Sequence, residues 1–224
     1  MRQFIFSSCV LFTFLLQGCQ KDDEVVPPIQ PEEDFSEMTD PRDGQTYKTC
    51  KIGDQVWMAE NLNYYTPAGS WYYDNDSAKY STPYGRLYLW NIAMANHPSS
   101  NLSPSGVQGI CPPGWHIPSY DEWKELQMYL ANNGLTTHDL MESGTSHWPT
   151  GGTNKTQFNA VAAGTVYNDG KSYAHINIRT TYLTSTIDSN TGGAWGFGLD
   201  QNGPMTVNPL GLQNGWSVRC VKDE

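Results

Sequence analysis

Apolar and polar positions along this chain alternate in short segments, each bounded by Gly-, Asn-, Ser- or Thr-rich stretches. Residues 47–52 (YKTCKI) and 55–58 (QVWM) flank Gly53-Asp54, a pattern that predicts a β-hairpin. Strand-like segments follow at 160–167, 174–178, 181–185, 194–199 and 216–221. Helical signals occur twice. Ser119 to Glu122 reads as a capping box after Pro118, and Trp123, Leu126 and Leu130 then recur on one face until Gly134 stops the helix. A shorter helix is predicted over 88–96. Stretches 67–70, 98–109, 144–155, 189–193 and 211–215 read as loops within one domain. Short strands, two helices and long loops predict an α+β fold rather than alternating βαβ units.

The N-terminus follows a different pattern. Arg2 precedes an apolar run over residues 4–16 that is too short to span a bilayer comfortably, and Leu16-Gln17-Gly18-Cys19 follows it. This tetrad resembles the lipobox of bacterial lipoproteins, with Gln17 in place of the usual small residue. The resemblance implies that residues 1–18 are a signal peptide and that Cys19 becomes the acylated first residue, a membrane anchor. Residues 19–37 then form an acidic tether with three prolines and little that could enter a core. In an extended state the tether reaches on the order of 50 Å. Lys21-Asp22-Asp23-Glu24 resembles the export signal of Bacteroidetes-type surface lipoproteins, which implies an outer-membrane protein exposed on the cell surface. Residues 38–224 remain as a single domain.

Composition narrows the function classes. The chain has 224 residues, only 16% of them charged, with eight Trp and thirteen Tyr, so it is too aromatic to be disordered throughout. Its net charge of −10 leaves no electrostatic footprint for nucleic acid. Setting aside Arg2, Lys21 and the tether's seven acids leaves 11 bases against 16 acids, so the domain itself carries −5.

Five motifs then occur in order: DGQTYKT (43–49), IGDQVWMAENL (52–62), YGRLY (84–88), CPPGWHIPS (111–119) and SVRCVKD (217–223). Together they resemble the Fibrobacter succinogenes major paralogous domain family, from about residue 40 to the C-terminus. The resemblance implies a fold similar to the C-type-lectin-like domain and to the formylglycine-generating-enzyme superfamily. That is a twisted, mostly antiparallel sheet with two helices and long loops, the last strand beside the first. It implies no activity. Family members often carry a further Cys pair near residues 71–76, absent here, and aromatic packing is expected in its place.

Three cysteines remain after signal cleavage and acylation, so one is left over in an oxidising compartment. Cys111, in a rigid Pro-Pro-Gly-Trp segment, and Cys220, in the terminal strand, both fall inside the family-like motifs and are expected to pair. Cys50 is then a buried thiol. The competing pairing is Cys50 with Cys220, since the first and last strands are expected to be neighbours.

Candidate chemistry is sparse. His97, His116, His138, His147 and His175 never adopt metal-ligand spacing, and no CxxC is present, so no metal and no cofactor are expected. His116 reads as a structural histidine. Asp74-Asn75-Asp76 begins like a calcium loop, but Ala78 stands where an oxygen ligand is needed. Asp76-Ser77-Ala78 also resembles a Bacteroidetes O-glycosylation site. No catalytic residue is assigned, although Asp139, Glu142, Asp188 and Asp200 remain open as carboxylates that distant loops could bring together. Arg86 and Arg219 are expected to be paired structural residues.

The aromatics divide in two. Trp57, Trp90, Trp115, Trp123 and Trp216 lie in strand or helix patterns and are expected in the core. Trp71, Tyr73, Trp148 and Trp195 lie in or beside polar loops and are the candidate ligand-binding residues, since exposed rings beside amides suit stacking on sugars; the alternative is that these rings plug the loop-rich half of the fold. The expected function is a non-enzymatic, surface-anchored binding module that recognises a glycan or another extracellular partner. A structural surface component, or a carbohydrate-active or oxidoreductase-like surface enzyme, are the alternatives.

Overall fold

The computed structural model describes residues 36–201 and 203–223; the signal segment, Cys19 and nearly all of the tether lie outside them. In chain order the elements are β1 (Glu37–Thr39), β2 (Thr46–Ile52), β3 (Gln55–Met58), β4 (Ser70–Trp71), α1 (Ser77–Tyr80), β5 (Leu87–Tyr88), α2 (Trp90–Ala93), β6 (Trp115–His116) and α3 (Tyr120–Asn132). The second half is almost all strand: β7 (Ala163–Val166), β8 (Tyr173–Ile176), β9 (Arg179–Ile187), β10 (Ala194–Asp200), β11 (Thr206–Leu210), β12 (Trp216–Ser217) and β13 (Val221–Lys222). The result is an α+β architecture, mostly sheet.

The predicted hairpin is present. Ile52 pairs with Gln55 across a turn in which Gly53 takes a left-handed φ of 63°, a conformation that costs glycine little. One sheet runs β1-β2-β3-β13-β6 and the other β11-β10-β9-β12-β5-β4, with the β7–β8 hairpin joined to β9. Most pairings are antiparallel, while β12 and β7 meet β9 in parallel. The C-terminal segment, read as one strand over 216–221, is two short ones. It gives β12 to the interior of one sheet and β13 to the interior of the other.

α3 follows its sequence signals. The Ser119 hydroxyl accepts from Glu122 N while the Glu122 carboxylate accepts from Ser119 N, and Trp123, Leu126 and Leu130 face inward. Trp123 stacks against both Tyr182 and Phe197, each 5.2 Å away between ring centres, which fastens the helix to β9 and β10. The helix predicted over 88–96 shrinks to α2. Tyr88 is taken by pairing with Trp216, and Ala95 and Asn96 turn left-handed at φ 48° and 61°, which ends the helix. α1 was not predicted. Its cap is Asp76, whose carboxylate accepts from Lys79 N, so the calcium-like Asp-Asn-Asp stretch forms a tight turn and a helix cap. Strand β11, over a segment containing Asn208-Pro209, was also missed.

Cys111 and Cys220 form a disulfide, with Cα atoms 5.9 Å apart, as the family motifs implied. Cys50 is buried and free, and burial pushes its thiol up to about 12. The competing bridge fails on topology. β13 pairs with β3, so Cys50 on β2 lies two strand spacings away, roughly 9.5 Å and beyond disulfide reach. The last strand therefore sits beside the hairpin's second strand rather than the first. Near residues 71–76, where aromatic packing is expected, Tyr73 packs against Tyr80 and Tyr173 at 5.2 and 5.1 Å.

Candidate functional site

The sequence AWGFGLD makes β10 two-faced. Trp195, Phe197 and Leu199 alternate with Gly196, Gly198 and Asp200, so one face carries large apolar side chains and the other almost none. Phe197 and Leu199 belong to the core beneath α3. On the opposite face, register places Gly198 between Thr181 of β9 and Thr206 of β11, and Gly196 between Leu183 and Asn208. The two glycines thus floor a groove of about 280 Å³ on the sheet face. A methyl at Gly198 would stand 2.6 Å from Thr206 Oγ1, and one at Gly196 would overlap the Leu210 side chain. Closeness of this kind is the usual reason for glycine inside a strand.

The walls are polar and aromatic. Thr181, Thr206 and Asn208 line it from the flanking strands, Tyr167 and His175 from the β7–β8 hairpin, and Trp216 from β12. The indole Nε1–H of half-buried Trp216 donates to Gly211 O at 3.2 Å, which fixes the ring's edge. At one end Arg179 donates through Nε and Nη2 to a single oxygen of Asp200, at 3.3 and 3.1 Å. With side-chain exposures of 47% and 27%, this pair is worth at most about 1 kcal/mol to the fold. Its consequence is charge balance and a fixed planar donor group at the groove's edge.

The four aromatics chosen from loop composition do not assemble into this site. Trp148 is fully buried, and its Nε1–H donates to Ala160 O at 2.7 Å. Loop 144–155 folds onto itself, with Gly152 N donating to Glu142 O and Gly151 N to Trp148 O, and drops the indole into the main core. Tyr73 is likewise buried, in the tyrosine cluster, and Trp71 packs half-buried against that cluster. Trp195 lies half-buried against Tyr120, 5.3 Å away, on the sheet face opposite the groove. Trp216, expected in the core, is instead a groove residue. Among the other expected core tryptophans, Trp57, Trp115 and Trp123 are buried, whereas Trp90 is half-buried and bonds Thr184 O.

The four open carboxylates each hold a separate local partner. Asp139 accepts from Thr136 N and from the Thr153 hydroxyl, and Glu142 meets His147 Nδ1 at 2.6 Å. Asp188 accepts from Thr191 and Asn190, and Asp200 pairs with Arg179. Among the described residues, no group of three or more His, Cys, Asp or Glu side chains could hold a metal ion. Neither expected arginine pair is ionic. Arg86 lies over the rings of Tyr72 and Tyr65, at 3.9 and 5.1 Å, and Arg219 bonds to carbonyl and amide oxygens.

His116 is structural and more tightly held than the sequence indicated. Its Nε2 lies 2.6 Å from Glu122 Oε1 and its Nδ1 2.7 Å from Asp223 Oδ1, so it clasps the start of α3 to the end of the chain. Burial works against its charge, but the hydrogen bonds and negative charge of Glu122 and Asp223 outweigh this, and its pKa is raised above the ordinary 6.5. A raised folded-state pKa stabilises the fold fully below the unfolded value and loses that contribution as pH climbs through the folded value. The melting temperature of the wild type is therefore expected to fall more between about pH 6 and about pH 9 than that of His116→Gln. Parallel curves for the two proteins would contradict this account.

One antiparallel sheet, one mixed sheet with the capped helix α3 on one face, and a glycine-floored groove on the other face define a small α+β domain. Residues 50–222 match the Fibrobacter succinogenes major domain, and the chain belongs to that family. No curated protein matches the chain. No solved structure matches it either.

Proposed function

We propose that this protein is a surface-anchored, non-enzymatic binding module of a bacterial envelope, and that the glycine-floored groove of β9, β10 and β11 holds its ligand, a glycan or another extracellular partner. The groove carries the reading. It combines an aromatic wall with hydroxyl, amide and guanidinium groups over a floor that admits close approach, the composition of a small-molecule seat. The lipobox-like tetrad ending at Cys19 and the acidic tether support the address, and a two-chain lipid anchor would hold it there stably. No helix among the described residues is long and apolar enough to cross a membrane. The arrangement of two sheets, a capped helix and loop-rich connections supports a C-type-lectin-like classification.

One cell-based experiment tests both parts. Cells expressing the full chain are expected to retain it in the membrane fraction and to capture labelled envelope polysaccharide. Cys19→Ala is expected to release the protein from that fraction. Gly198→Ala, which adds a methyl to the floor, is expected to stay in the membrane and lose most capture. Retention of Cys19→Ala would sink the anchor, and undiminished capture by a folded Gly198→Ala would sink the groove.

A further inference from the structure

We propose that the groove seats a single uncharged pyranose ring, an inference that rests on its being the ligand seat. Size is the first argument. About 280 Å³ falls just below the roughly 300–1,000 Å³ typical of sites for drug-sized ligands, so one ring fits and an extended oligosaccharide does not lie within it.

Charge is the second. Among the described residues lining the groove, Arg179 is the one permanently charged side chain, and it already shares an oxygen of Asp200. An anionic sugar reaching the guanidinium would meet the Asp200 carboxylate beside it, and a cationic sugar approaching Asp200 would meet Arg179. A neutral ring hydroxyl accepting from the guanidinium leaves the charge balance of the Arg179–Asp200 pair undisturbed.

The third argument is the kind of surface offered. Trp216 and Tyr167 supply apolar rings for the C–H face of a pyranose, while the Thr181 hydroxyl and Asn208 amide are placed for its ring hydroxyls. A peptide strand is a poorer occupant. The groove lies on a sheet face, whereas strand addition uses an edge, and the edge strand beside it, β11, carries Pro209, which has no N–H to donate.

Saturation-transfer NMR on the purified full-length chain tests this, because it reads the ligand and tolerates a large particle. The probes are methyl glucoside, methyl galactoside and methyl mannoside, with glucuronate and glucosamine as charged counterparts. Saturable transfer to at least one neutral glycoside is expected, stronger than to either charged sugar. Thr181→Val and Asn208→Ala, both checked for an unchanged melting temperature, are expected to weaken it about 5- to 10-fold, the loss of one neutral hydrogen bond. Preference for a charged sugar, or binding indifferent to both variants, would overturn the inference. Absence of transfer to every monosaccharide while cells still capture polysaccharide would overturn the single-ring claim and leave the binding module standing. Failure of both would remove the module reading as well.

Discussion

Replacing both Cys111 and Cys220 by alanine is expected to lower the free energy of unfolding by about 4–5 kcal/mol. The bridge joins residues 109 apart, and in the chain-entropy view closing a loop of that length removes about 4.7 kcal/mol of freedom from the unfolded chain. Native-state packing adds to this, since both side chains are fully buried in the cluster beneath α2. Against a total stability of roughly 5–15 kcal/mol, the loss decides whether the domain is folded at growth temperature. Urea unfolding checks it, with a second signature in the slope. A chain without the cross-link expands further when unfolded, so the dependence on denaturant should steepen as the midpoint falls. A double variant within about 1 kcal/mol of wild type would show that the unfolded chain is compact without its bridge.

Arg219→Met is expected to cost about 4 kcal/mol or more, although the site holds no carboxylate partner for the guanidinium. Arg219 is fully buried, and burial lowers its pKa, yet its Nε bonds Asn61 Oδ1, Nη1 bonds the carbonyls of Met58 and Phe158, and Nη2 bonds the carbonyl of Asn159. The rings of Phe158 and Tyr182, 4.5 and 5.5 Å away, cover its faces. Four acceptors would lose their donor together, at about 1–3 kcal/mol each. Relief of the buried charge and entry of water offset part of that sum. Arg219→Lys separates charge from geometry, because an ammonium keeps the cation but cannot span the same fork. It is expected to lose about 2 kcal/mol or more. If the methionine variant unfolds at the wild-type midpoint, the oxygens are satisfied by other means and this account of the core is wrong.

The readable parts of the sequence were those governed by neighbours in the chain. The α3 capping box, the Gly53 turn and the Cys111–Cys220 choice each rest on a local signal or on the family motifs. The groove was not readable in that way, because it exists only once β9 and β11 flank β10 in one particular register. Thr181, Gly198 and Thr206 come from three successive strands and meet side by side only in that register. A clue was present in AWGFGLD, where glycines two apart in a strand mark one face as bare. Trp148 shows the opposite error. A stretch rich in Gly, Thr and Ser reads as solvent-exposed, but the composition of a loop does not fix the direction of its single tryptophan, and here the loop's own backbone bonds aim it inward. Trp216 sits in a strand pattern, yet β12 is two residues long and its indole emerges at the groove.

The placement of β12 between β9 and β5, and of β13 between β3 and β6, governs the timing of folding. Neither sheet can close until residues 216–222 have docked between strands that lie far from them in the chain. Contacts so distant in sequence also make the final zippering slow relative to helix formation. Without this short segment both sheets would be split down their interiors, so the chain commits to its fold only when these two strands dock.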